Sequence, residues 1–148
     1  MDPSSISTDD VLQRAVSAAF INFHNKTPKV LQLSHTCHVL ESTCRSGGAV
    51  PILTVASTGG GKSASRDCAG FCLRGIILTI VPLLSLAADQ TEKMNGLIAK
   101  LGFPIDHLIK AYNLDTLRNR DSNIALLSKL RAVSPGDDKT IFLFSSPQ

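Results

Sequence analysis

The stretch Ile52-Leu-Thr-Val-Ala-Ser-Thr-Gly-Gly-Gly-Lys-Ser63 constrains this chain more than any other. Its largely β-branched apolar run predicts a strand, and the glycines that follow permit backbone conformations closed to other residues. Successive N–H groups can then turn inward and approach phosphate oxygens. In this pattern Gly59, Gly60 and Gly61 form the cradle, with Thr58 at its entrance. Lys62 reaches the β- and γ-phosphates of a nucleotide, the Ser63 hydroxyl ligates Mg²⁺, and a helix over 63–73 points its positive end at the anion. The first glycine of the common G-x-x-x-x-G-K-[ST] pattern falls here at Ala56.

A chain of 148 residues, 43% apolar and 18% charged, can bury a sizeable core and does not belong to the disordered class. The net charge of +3 is spread along the sequence, so charge alone does not single out a nucleic-acid surface. The longest apolar run, 75–88, is interrupted by Pro82 and is too short to cross a bilayer. The acidic, polar N-terminus lacks the basic-then-apolar order of a secretory signal. No membrane partner is expected, and the location is expected to be intracellular, nuclear in a eukaryote. Cys37, Cys44, Cys68 and Cys72 match no standard zinc spacing even with His35 and His38 beside Cys37, and they read as reduced core thiols.

Taken in order, residues 1–10 are expected to form a disordered tail. A helical lead-in over 11–49 follows, with helices at 11–23, carrying Leu12, Ala15, Val16, Ala19, Phe20 and Phe23 on one stripe, and at 30–44. After the glycine loop and its helix, 76–81 reads as a strand buried on both faces. Pro82 then opens a helix that ends at Gly102, with Leu83, Leu84 and Leu86 packed in the core. A strand over 105–112, a helix over 116–133 with Leu117, Ile124, Leu127 and Leu130 on one stripe, and a strand over 140–144 complete the pattern. Strands alternating with helices predict an α/β fold with a mainly parallel sheet flanked by helices.

Two motifs in order carry a family resemblance. Ala56-x-Thr58-Gly59-x-Gly61-Lys62-Ser63 resembles motif I of superfamily 2 helicases, and Ile80-Val-Pro-Leu-Leu-Ser-Leu-Ala-Ala-Asp-Gln90 resembles motif Ia of their RecQ-like, DEAD/DEAH-type branch. Pro82 follows Lys62 by 20 residues, close to the family's separation, and the ending Ser145-Ser-Pro-Gln148 is similar to the turn after the family's fourth strand. The resemblance covers 50–148 and implies an incomplete RecA-like P-loop NTPase domain binding ATP and Mg²⁺. It assigns Gln32 to the adenine, although that segment reads equally as the exposed face of a helix. Ser85, Ser145 and Ser146 would hold phosphates of a single nucleic-acid strand, DNA by this resemblance; Ser85 reads equally as an ordinary first-turn serine.

The family's acidic Asp-Glu box lies beyond the matched region, and no Asp-Glu pair occurs in this sequence. The resemblance also leaves out the family's second RecA-like domain, whose arginines stabilise phosphoryl charge across the interdomain cleft, a contact worth roughly 10³ to 10⁵ in rate in related systems. The resemblance thus implies the ATP-binding portion of a 3′–5′ helicase, truncated before that box, with no complete catalytic set and negligible turnover of its own. The alternative is a non-catalytic nucleotide-binding or interaction remnant. Missing neighbouring strands would leave apolar sheet edges exposed and the chain marginally stable or prone to aggregate.

Overall fold

Asp9 and Asp10 place negative charge where a helix dipole favours it, and Val16 and Phe20, one turn apart, give that helix a face to bury. In the computed structural model, which describes residues 8–44, 51–53, 55, 59–102, 108–117, 120–134 and 137–147, this helix, α1, spans Thr8–His24. The expected tail is thus corrected at its end: Thr8, Asp9 and Asp10 form the first turn, and residues 1–7 lie outside the described set. Asn25 closes α1 with a φ of 50°, its N–H donating to Ile21 O at 2.9 Å. Asparagine is one of the few residues that tolerates this left-handed conformation.

The chain divides into two compact units, Met1–Leu73 and Arg74–Gln148. In the first, α1 packs with α2 (Val30–Cys44) and α3 (Lys62–Leu73) around Val16, Phe20, Cys37, Leu40, Cys68 and Ala69. Phe23 stacks on Phe71. The helix after the glycine loop therefore shares its core with the two N-terminal helices. The strand expected before the loop is not formed: Ile52, Leu53 and Val55 lie outside any strand, and Leu53 and Val55 are 91% and 86% exposed. A strand needs a neighbour to take up its N–H and C=O groups, and this unit has no described strand to offer. Thr54, Ala56 and residues 45–50 lie outside the described residues.

The second unit is built on a three-stranded, all-parallel sheet in the order β1-β3-β2, with β1 at Gly75–Ile80, β2 at Ile109–Asn113 and β3 at Thr140–Ser145. The α/β class is as expected from the alternation of elements. β3 is central, pairing Gly75↔Thr140 through Ile80↔Ser145 on one side and Ile109↔Thr140 through Asn113↔Phe144 on the other. Phe142 and Phe144 on it are fully buried. Helix α4 (Leu84–Leu101) turns Ala87, Met94 and Ile98 inward and ends at Gly102, whose φ of 65° suits a residue without a β-carbon. Helix α5 (Arg120–Arg131) packs Leu126 and Leu130 against Ile141 and Leu143.

Several expectations for this unit need correction. β1 is half-buried on one face, at Gly75, Ile77 and Thr79, and open on the other, where Ile76, Leu78 and Ile80 are 46%, 56% and 66% exposed. Leu83 and Leu84 are exposed and Leu86 is half-buried, since the inward face of α4 is set by the 87-94-98 spacing. The buried stripe of α5 runs through Leu126 and Leu130, whereas Ile124 and Leu127 are about half exposed. Helix α5 also starts later than expected, at Arg120, because a short 3₁₀ turn, Leu114–Thr116, intervenes after β2. Of the strand expected over 105–112, residues 105–107 lie outside the described set, and β2 continues to Asn113.

Candidate nucleotide-phosphate site

The glycine loop has the backbone geometry its composition demands. Gly59 and Gly61 both take φ of +79°, and α3 begins directly after them at Lys62. The first turn of a helix leaves N–H groups without intrahelical partners; here the Gly61 carbonyl accepts the N–H of Ser65 at 3.3 Å. Lys62 and Ser63 stand exposed at that helix start. Thr58 lies outside the described residues.

Gln32 belongs to this site. Its Nε2 donates to Gly61 O at 3.3 Å, and its Oε1 accepts the N–H of Lys29 at 2.8 Å. Lys29 immediately precedes α2 and Gln32 is its third residue, so the second bond is the returning half of a capping box. Both amide groups that the resemblance gives to an adenine are thus engaged within the chain. Tight packing accompanies this, since a β-carbon on Gly61 would fall 1.9 Å from Gln32 Nε2.

Beside the loop lies a cavity of about 280 Å³, whose lining includes His24, Lys26, Lys29, Gln32, Gly59 and Gly61. Lys26 and Lys29 give it positive charge, which together with the amino end of α3 favours an anion. Neither His24 nor Lys26 stands out in the sequence. The residue type that brings them here is Asn25, which turns the chain at the end of α1.

Behind the cavity, Asp67 is buried and takes charge-assisted hydrogen bonds from Arg66, while His24 Nε2 lies 3.9 Å from its Oδ2. His24 Nε2 has no hydrogen-bond partner among the described residues. Burial pushes the His24 imidazole below its ordinary value of 6.5, only partly opposed by the Asp67 charge. Burial likewise raises the Asp67 carboxyl, against the pull of Arg66. The Cys68 thiol is pushed up to about 12 by burial and by the neighbouring Asp67 and Cys72. Cys37 is buried as well, while Cys44 and Cys72 are exposed, so two of the four thiols depart from the expected core position. No group of three or more His, Cys, Asp or Glu side chains gathers among the described residues.

The three serines assigned to a nucleic-acid strand lie in the second unit. Ser85 is exposed in the first turn of α4. Ser145 and Ser146 close β3, and both are already engaged: the N–H of Ser146 donates to Asp115 Oδ2 at 2.9 Å and Ser145 Oγ donates to Asp115 Oδ1 at 3.2 Å. Nothing in the sequence marks Asp115 as a partner of this turn. No described helix is long and apolar enough to cross a membrane. No model of a known protein family matches the chain, and no curated protein matches it.

Proposed function

We propose that this chain binds ATP with Mg²⁺ through Gly59–Ser63, as the ATP-binding portion of a superfamily 2, RecQ-like helicase motor with a RecA-like fold. The observation that carries the reading is the positive φ at both Gly59 and Gly61 immediately before α3, next to a lysine-lined cavity. An arrangement of this kind lets backbone N–H groups and a helix end converge on one anion. In this reading the loop amides hold the phosphates, Lys62 neutralises the β- and γ-phosphates, and the Ser63 hydroxyl holds Mg²⁺. Bound Mg²⁺ would supply further neutralisation of phosphate charge.

The proposal is for binding and not for turnover by these residues, because the sequence has no Asp-Glu pair to position metal and water. In a complete motor, ATP-driven domain closure would move a single DNA strand, held by its phosphates without being read. The test is ligand-dependent stability. ATP with Mg²⁺ at 100 times Kd adds about 2.7 kcal/mol to a two-state fold. A raised thermal midpoint in the wild type, lost in Lys62→Ala, is expected, and an equal response in both would exclude the loop as the site.

A further inference from the structure

The turn after β3 already holds an anion, and that anion is part of the chain. Asp115 Oδ2 accepts the Ser146 N–H at 2.9 Å, and Oδ1 accepts the Ser145 hydroxyl at 3.2 Å. That hydroxyl lies equally close, 3.2 Å, to Ser146 O. A carboxylate taking one backbone N–H and one hydroxyl uses the same acceptor chemistry as a phosphate. The donors at the end of β3 thus converge on an oxyanion. The Ser146 hydroxyl is buried, with the residue only 6% exposed, and lacks a partner among the described residues.

The way Asp115 reaches the turn is local. β2 ends at Asn113, next to Phe144 in register, so the exits of β2 and β3 are neighbours. Asn113 Oδ1 accepts the Asp115 N–H at 3.0 Å, and Thr116 Oγ1 donates to Asn113 O at 2.9 Å. This short turn carries Asp115 across the carboxyl ends of the strands, the place where open α/β sheets hold their ligands.

We propose that Asp115 is an internal placeholder for a nucleic-acid phosphate, so that a strand gains the Ser145–Ser146 donors only when Asp115 releases them. The inference rests on the helicase reading for its ligand, a single DNA strand. With Asp115 in place an incoming phosphate meets a like charge and finds its donors occupied.

The test compares binding of a labelled oligothymidine by the full chain, its Asp115→Asn variant and Asp138→Asn, which removes an exposed charge elsewhere in the same unit. Like charges brought together in a binding site are strongly unfavourable, so Asp115→Asn is expected to tighten binding by about fivefold or more. Asp138→Asn should change it far less, and Ser145→Ala added to Asp115→Asn should abolish the gain. Equal tightening in both single variants, or weaker binding in Asp115→Asn, overturns the placeholder role while leaving strand binding intact. No binding by any chain removes strand binding and the placeholder together. Should Asp115→Asn fail to fold, the Ser146 amide resonance of the wild type decides the matter. It should shift on titration with oligothymidine; an unmoved amide despite binding, or a shift with inorganic phosphate alone, overturns the proposal.

Discussion

Gln32 lies across Gly61: its amide nitrogen donates to the Gly61 carbonyl at 3.3 Å and occupies the space a β-carbon would need, 1.9 Å away. The helix that precedes the glycine loop in sequence is thereby tied to the loop itself. Gly61→Ala should accordingly be costly twice over, by about 1–2 kcal/mol from its left-handed φ and further by displacing Gln32. Gln32→Ala loses the capping bond to Lys29 and should cost about 1 kcal/mol. Denaturant melts of both variants check this. A Gly61→Ala chain as stable as wild type would mean that the loop does not hold the φ of +79°.

Acid should weaken the first unit through His24. Its folded pKa lies below the ordinary 6.5, so the unfolded chain binds the proton more readily. The stabilisation is fully present above 6.5 and is lost as pH falls from there through the folded value. His35, also lowered by burial, acts in the same direction. Asp67 acts oppositely, because its raised pKa favours the fold at low pH and loses that advantage as pH rises through the folded value. Thermal melts between pH 5.5 and 7.5, values bracketing roughly one unit either side of an ordinary histidine, should show a fall on acidification that is smaller in His24→Gln. An unchanged slope in the variant would contradict the burial of this imidazole.

Thiol reactivity separates the four cysteines. Cys44 and Cys72 are exposed, whereas Cys37 and Cys68 are buried, with Cys68 pushed up to about 12. A thiolate is the reacting species. Ellman's reagent should therefore label Cys44 and Cys72 quickly in the native chain and Cys37 and Cys68 only on unfolding. Rapid native labelling of Cys68 would contradict the packing of α3 on α1 and α2.

The exposed face of β1 should drive self-association. Ile76, Leu78 and Ile80 form an apolar row on an edge strand, and such edges are recruiting surfaces for other chains. Leu78→Lys places a charge in the middle of that row. It should lower light scattering at a given concentration while leaving the circular dichroism spectrum unchanged. Equal scattering by both chains would locate the sticky surface elsewhere.

Much of this architecture was legible in the sequence because it depends on local signals. The 30–44 helix was read at its true bounds, and the stop at Gly102 follows from glycine's freedom at a helix end. Depth of burial was less legible. Whether Leu83, Leu84 or Ile124 faces a neighbour depends on how much sheet is present to cover it, and composition does not carry that. The strand expected before the glycine loop failed for the same reason, since β-branched residues favour a strand only where a partner strand exists. At the glycine loop, glycine chemistry announced the site while Lys26 and His24 were hidden because a turn brings them there, and in the second unit Asp115 was hidden for the same reason.

The central claim is that Gly59–Ser63 holds the phosphates of ATP. Equilibrium binding of a fluorescent ATP analogue with Mg²⁺, comparing this chain with Lys62→Ala, tests it most directly. The account predicts at least a tenfold loss of affinity in the variant, about 1.4 kcal/mol. Equal binding by the two chains, or binding by neither, would contradict it.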